Sequence, residues 1–171
     1  MDVCLGVLPS SASEPIMHRP IGPVLWRCLV RPGHPVLLGG DWGLERWLEY
    51  PHVQVLTGSA STSVVGQALA SKGAQRRVGV TVPGFMLGMH AAAASDNIFA
   101  VPHVLAHYAA EHLGLVALAP PIPIHTFTAA ALWHERCQRD PAHRWFRAGV
   151  WQVVKAAWEK CHTGPAPSLH S

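Results

Sequence analysis

The sequence predicts an α/β domain with a largely parallel sheet. Short apolar segments that suit buried strands alternate with segments in which apolar residues recur at helical spacing. The clearest unit runs from 76 to 102: a strand that stops at Pro83-Gly84, an Ala- and Met-rich helix, and a strand that ends at Pro102. Glycine and proline occur 15 times each, as expected where many tight turns join short elements.

The first fifty residues predict two strands and a short helix. Residues 3–8 and 24–30 are apolar runs that suit buried strands, and a Ser- and Pro-rich loop is expected over 9–15. Arg31-Pro-Gly-His-Pro35 breaks the second strand, and we expect the chain to cross between two lobes there. Asp41 suits the N-cap of a helix over 42–50.

The middle of the chain predicts regular alternation of strands and helices. Strands are expected over 52–56, 78–82, 97–101 and 115–119, and helices over 63–72, 85–94 and 103–113. Ser61 or Thr62 is expected to cap the first of these helices, and Gly73 and Gly114 supply C-terminal stops.

The last fifty residues predict a return strand and a long helix. The proline-rich segment 120–124 suits an extended crossing, and a strand is expected over 126–133. Asp140 and Pro141 occupy the N-cap and first positions of a helix. We expect this helix to present one apolar stripe, formed by Trp145, Phe146, Val150, Trp151, Val154 and Trp158. A disordered tail is expected over 163–171.

Composition excludes several classes of protein. Of the 171 residues 49% are hydrophobic and 13% charged, which predicts a packed core rather than disorder. The net charge of +3 is too small to predict nucleic-acid binding by the chain itself. The four cysteines form no CxxC pair, and Cys4 and Cys28 are expected to be buried thiols. With neither a signal peptide nor a membrane-length apolar run, a cytoplasmic location without membrane contact is expected.

Signatures of catalysis, cofactors and metals are also lacking. The sequence has no GxSxG, P-loop or GxGxxG segment, so we expect no enzyme activity and no cofactor. His103 and His107 lie one helical turn apart, but no carboxylate or cysteine completes a set of ligands. We therefore predict no metal site.

Several segments resemble those of a known family in their amino-acid sequence and in their order along the chain. They are residues 2–8, Arg31-Pro-Gly-His-Pro35, residues 47–55, residues 76–102, Leu132-Trp-His-Glu-Arg136, and Asp140-Pro-Ala-His-Arg-Trp-Phe146. Together they resemble the effector-binding (substrate-binding) domain of LysR-type transcriptional regulators. Within that family their sequence is most similar to the branch that regulates nodulation and aromatic catabolism. The resemblance covers residues 2 to about 158.

The resemblance implies a two-lobed fold like that of type 2 periplasmic binding proteins. It assigns 1–32 and 120–160 to a partial first lobe, 33–119 to a complete second lobe, and 161–171 to a tail. The winged helix-turn-helix, linker helix and opening β-α-β of the family would precede Met1, so the resemblance implies a chain truncated at its N-terminus.

The resemblance also implies a function in ligand sensing. The chain would be the effector-sensing and oligomerisation domain of a LysR-family regulator and would form a homo-oligomer. It would bind a small organic effector, aromatic or carboxylate, and would reach DNA only through the missing N-terminal domain. A free-standing solute-binding protein of the same fold is the alternative.

The predicted sheet places candidate ligand-binding residues where strands end. In α/β sheets ligands bind beyond the carboxyl ends of strands, where helices begin. Thr57, Ser59 and Ser61 follow one strand and precede a helix N-terminus, a position that favours an anion. Thr126 and Thr128 lie where the chain returns to the first lobe, and alternation along the strand directs one of them toward the ligand.

Three further candidates come from the resemblance. The family residue that matches His52 can contact an effector carboxylate or hydroxyl, although a structural histidine bonded to a neighbouring loop is an equal alternative. Gly84 stands where aromatic-responsive relatives often carry histidine, so that contact is absent and a different effector, or none, is implied. Phe85 can line the pocket or belong to the core.

Overall fold

The computed structural model describes residues 3–7, 15–56 and 63–163, with side chains to 161. Within these ranges the elements are β1 (Cys4–Val7), β2 (Ile16–Val24), β3 (Trp26–Val30), α1 (Leu44–Leu48), β4 (His52–Val55), α2 (Val64–Ala70), β5 (Val78–Val82), α3 (Phe85–Ala93), β6 (Phe99–Pro102), α4 (His103–Leu113), β7 (Val116–Leu118), β8 (Phe127–His134) and α5 (Pro141–Thr163). In the described part of the chain no helix is both long and apolar enough to cross a membrane.

The chain divides into two compact units. Unit 1 comprises residues 1–25 and 126–164, and unit 2 comprises residues 26–125 within the described ranges. These limits lie several residues from the predicted ones at 32 and 120. That the units correspond to the lobes of the LysR family stays a prediction.

Unit 2 contains a mixed sheet rather than the largely parallel one expected. Strands β4 and β5 pair in parallel, and β4 joins β6 through a parallel bridge between His52 and Ile98. Strand β3 pairs antiparallel with β6 on one side and with β7 on the other. The strands β4 to β7 therefore share one direction, because a helix returns the chain between each strand and the next. Among the described strands of unit 2, only β3, which precedes these helices, runs the other way.

Helices cover both faces of this sheet. One apolar cluster contains Trp47 of α1, Leu69 of α2 and Ile98, and the other contains Met89 of α3 and Phe99. The neighbours Ile98 and Phe99 belong to different clusters because consecutive strand residues point to opposite faces. Both clusters lie entirely within unit 2, which therefore has a core of its own.

Unit 1 contains a three-stranded antiparallel sheet, in the order β1, β8, β2, and the helix α5. Strand β2 was not predicted, because Pro20 and Pro23 interrupt its pattern. It lies at an edge of the described sheet, where prolines are tolerated, and its register shifts between Pro20 and Gly22.

Strand β1 is an exposed edge strand, which corrects the expectation of a buried one. Leu5 is 51% exposed and Val7 is 52% exposed. Cys4 is exposed as well, whereas Cys28 is buried as predicted. In the described part of the chain β1 pairs with β8 alone, so one of its edges has no strand partner.

The first two helices begin later than predicted. Helix α1 has Gly43 rather than Asp41 at its N-cap, because Trp42 is held outside the helix by an indole hydrogen bond to the Ala119 carbonyl. The N-cap of α2 is Ser63, whose Oγ accepts from the Gly66 amide at 3.0 Å. The expected caps Ser61 and Thr62 lie outside the described residues.

Helix α5 begins as predicted, but its apolar stripe is narrower. Val150, Trp151, Val154 and Trp158 are half-buried, whereas Trp145 is 80% exposed and Phe146 is 47% exposed. At about 100° per residue, Trp145 lies about 180° around the helix from Val154. A single stripe cannot hold both residues, so Trp145 faces away from the half-buried side.

Candidate functional site

The carboxyl ends of β4 and β5 lie side by side in unit 2. The Leu56 amide donates to the Val82 carbonyl at 2.9 Å, so both strands finish at the same edge of the sheet. The segment 57–62 leaves this edge from β4, and Pro83-Gly84 leads from β5 into α3. The residues that follow β4 and those that follow β5 therefore start from neighbouring points.

The predicted residues Thr57, Ser59 and Ser61 lie outside the described residues. The structure does describe Ser63, which follows them, and it places Arg76 beside it. Arg76 Nη2 donates to Ser63 Oγ at 2.9 Å and to Gln54 Oε1 at 3.3 Å.

Arg76 is a functional candidate that was not predicted from the sequence. Burial lowers the pKa of this guanidinium, although arginine keeps its charge in proteins. Its polar partners are a hydroxyl and an amide, and no carboxylate of the described residues is paired with it. The basic pair Arg76-Arg77 in front of a strand is the sequence feature that could have indicated this candidate. Sequence alone does not reveal which residues the guanidinium group of so long a side chain reaches.

His52 opens β4, and its ring is 0% exposed. Its Nε2 donates to the Trp47 carbonyl at 3.0 Å, and the two rings meet edge to face with centroids 5.1 Å apart. Burial is the main cause that lowers the pKa of His52 to about 4, so the ring is neutral at neutral pH. Of the two interpretations of His52, these contacts favour the structural histidine that ties β4 to α1.

Gly84 and Phe85 begin α3. Gly84 is the N-cap, in an extended conformation that any residue adopts, and a Cβ there would meet nothing within 4 Å. A larger side chain at this position would therefore enter open space beside the strand ends. The Phe85 ring is half-buried, and its centroid lies 5.9 Å from that of Phe99, which favours a role in the core.

Thr126 and Thr128 belong to unit 1. Thr126 precedes β8, and Thr128 lies within it opposite Pro23. Both side chains are exposed. Residues two apart along a strand lie on the same face, so alternation does not single out one of the two threonines, contrary to the expectation from the sequence. Ligand contact by either stays a prediction.

Comparison with known proteins relates nearly the whole described fold to one family. The sequence profile of the LysR substrate binding domain matches residues 1–155. The HTH-type transcriptional regulator SyrM of Rhizobium meliloti (strain 1021) is 30% identical over 160 residues, which is 92% of this chain and 48% of SyrM. The chain therefore spans about half the length of this curated relative.

Solved structures agree with this assignment at the level of the fold. The regulatory domain of MexT, a transcriptional activator in Pseudomonas aeruginosa, superposes with a TM-score of 0.69 at 24% identity, over 89% of this chain and 72% of that one. The effector-binding domain of QuiR in complex with shikimate gives a TM-score of 0.66 at 16% identity, over 91% and 72% of the two chains. With its mixed α/β units and a profile match over nearly its whole length, this chain belongs to the LysR substrate-binding-domain family, whose fold is like that of periplasmic binding proteins.

Proposed function

We propose that the chain senses a small organic anion as the effector-binding domain of a LysR-type transcriptional regulator. The family match over residues 1–155 is the observation that carries the proposal. In that role the domain changes the activity of a regulator by binding a ligand and catalyses no reaction. The regulator would act in the cytoplasm as a homo-oligomer and would contact DNA through a separate winged helix-turn-helix.

The sheet edge where β4 and β5 end supports a ligand site in unit 2. The polar segment 57–62 and the N-terminus of α3 both start there, and the space beside Gly84 is open. Arg76, beside Ser63, adds a half-buried positive charge that no described carboxylate neutralises. Hydroxyls, backbone amides and a guanidinium together favour a carboxylate. We therefore propose Thr57, Ser59, Ser61, Gly84 and Arg76 as ligand-binding residues of unit 2.

Calorimetric titration of the full chain tests this site. Benzoate and shikimate are the probes, and benzyl alcohol is the uncharged comparison. We expect at least one carboxylate to bind and the alcohol not to bind. Arg76→Gln should weaken carboxylate binding about tenfold, close to 1.4 kcal/mol, whereas Arg77→Gln, an exposed neighbour, should leave the affinity unchanged.

Two further variants separate the site from the stability of the fold. Gly84→Phe places a ring in the open space and should abolish binding, while Ser71→Ala at the other end of α2 should have no effect. Equal affinity of Arg76→Gln, Gly84→Phe and the unmodified chain would show that the ligand lies elsewhere.

A further inference from the structure

We propose that unit 1 carries a second pocket, for a small organic anion, formed by α5 against β8 and β2. A cavity of about 260 Å³ opens there, and residues of all three elements line it. Pockets for drug-sized ligands occupy roughly 300–1,000 Å³, so this cavity suits a smaller molecule. The pocket lies wholly in unit 1 and is independent of the site proposed above.

Positive charge dominates the polar lining of the cavity. Arg19 of β2 and Arg144 and Arg147 of α5 all line it. The lining contains no aspartate or glutamate among the described residues. Three guanidinium groups around one small cavity repel each other, and a bound anion would relieve that repulsion.

The guanidinium groups of two of these arginines lie over the rings of two tryptophans. The Arg19 guanidinium lies 3.7 Å from the ring centroid of Trp151, and that of Arg147 lies 4.6 Å from the centroid of Trp133. Stacking uses the flat face of a guanidinium and leaves the N–H groups at its edge free to donate. The tryptophans therefore position the arginines for recognition of a planar anion.

The three arginines differ in how far their donors are used. Arg147 donates to the Cys137 and Gln138 carbonyls and to His143 Nδ1, so its place is set by the protein. The guanidinium groups of Arg19 and Arg144 make no hydrogen bond or ion pair with any other described residue. The edges of these two guanidiniums are thus available to a ligand.

Apolar groups complete the cavity and define the ligand class. Ala131 and Val150 line it beside the indoles of Trp133 and Trp151. Apolar surface gains little from a free inorganic ion but stabilises the hydrocarbon part of an organic one. The lining therefore fits a carboxylate on a small apolar body.

NMR spectra of the ¹⁵N-labelled full chain during titration with benzoate test the proposal. We expect saturable shifts of the indole N–H signals of Trp133 and Trp151, assigned from Trp133→Phe and Trp151→Phe spectra. Arg19→Gln and Arg144→Gln should each weaken this binding at least fivefold. Arg136→Gln is the matched control, because Arg136 is an exposed arginine of unit 1 outside the cavity.

Two further comparisons distinguish loss of binding from loss of stability, and this pocket from the site in unit 2. Arg144 is exposed, so Arg144→Gln should keep the thermal midpoint of the parent and report on binding alone. Arg76→Gln should leave these indole shifts unchanged, which distinguishes this pocket from the site in unit 2. The proposal is overturned by absent or non-saturable shifts, by unaltered affinity in Arg144→Gln, or by sulfate shifting the same signals as strongly as benzoate.

Discussion

At the scale of single residues, His52 shows how burial changes the role of a side chain. A histidine at the start of a strand suits ligand contact, but here the ring is enclosed by Trp47 and donates to its carbonyl. The surroundings disfavour the imidazolium, since burial lowers the pKa of His52 to about 4 from 6.5. His34, whose ring is also buried, has a lowered pKa for the same reason.

This burial predicts that acid destabilises the domain. Between pH 6.5 and about 4 the unfolded chain binds a proton at His52 that the folded chain does not, so stability rises with pH across this window. The contribution of His52 to the free energy of unfolding is fully present above pH 6.5 and is lost on acidification. This contribution is at most about 3 kcal/mol. Urea unfolding at pH 7.5 and at pH 4.5 measures this loss of unfolding free energy.

The contribution of His52 can be isolated by substitution. His52→Gln should lower stability at pH 7.5 and flatten the pH dependence, because glutamine does not titrate. His90→Gln removes an exposed histidine of α3 and should keep the full dependence. An unchanged pH dependence in His52→Gln would contradict the assignment.

Gly88 marks a close approach between α3 and the sheet. A Cβ at this position would collide with the Phe99 ring. Gly88→Ala should therefore destabilise by about 1–3 kcal/mol through overpacking, despite the better helix propensity of alanine. The same replacement at Gly149 of α5, where a Cβ meets nothing within 4 Å, should stabilise slightly. Thermal unfolding of both variants checks this contrast, and a Gly88→Ala protein as stable as its parent would refute it.

At the scale of elements, local signals set where helices begin and end when they are strong. Asp140 caps α5 by accepting from the Ala142 amide at 2.9 Å and the His143 amide at 3.3 Å, and Pro141 follows at the first position. Gly114 ends α4 in the left-handed conformation, with φ of 63°. Asp41 failed as a cap because a tertiary contact of Trp42 delays the start of α1.

The cap of α5 can be tested directly. Asp140→Ala removes the acceptor of two amides and should cost about 1 kcal/mol and lower the helicity measured by circular dichroism. Asp140→Asn retains an acceptor oxygen and should restore most of that stability. Equal losses in the two variants would mean that Asp140 acts by charge rather than as a cap.

At the scale of the whole molecule, apolar burial is unevenly distributed between the two units. Both buried clusters belong to unit 2, whereas the buried apolar residues of unit 1 within the described ranges are Val24, Ala130 and Ala131. Buried apolar area is the main source of stability, so unit 2 should be the more resistant of the two.

Limited proteolysis should reveal this difference. Trypsin should cut α5 first, at Arg144, Lys155 or Lys160, and should leave a fragment close to 26–125 that resists further digestion. Mass spectrometry of a time course identifies the fragments. A chain that keeps both ends while unit 2 is cut would reverse the expected order.

The exposed apolar residues of unit 1 predict self-association. Exposed indole and valine side chains on one helix favour contact with a second copy. Light scattering after size-exclusion chromatography should show a mass that rises with concentration. The double variant Trp145→Ser, Val153→Ser should shift the chain toward the monomer, whereas Leu87→Ser, an exposed position of α3, should not. A monodisperse monomer at all concentrations would contradict this prediction.

The sequence by itself determined the order of elements from β4 to β7 and the family. Pro83-Gly84, Gly114 and the alternation of apolar residues act over a few residues, so they can be interpreted without the fold. They also placed Thr57, Ser59 and Ser61 directly after a strand end, and the end of β4 lies beside that of β5, where the Leu56 amide donates to the Val82 carbonyl. That these three residues bind a ligand stays a prediction.

Only the tertiary structure decided the direction of β3, the strand β2 with its two prolines, the burial of His52 and the position reached by Arg76. Each depends on neighbours distant in sequence: β3 lies between β6 and β7, and Arg76 ends beside Ser63. Strand pairing and the enclosure of a side chain are set by the sum of such contacts, which no local pattern of residues contains.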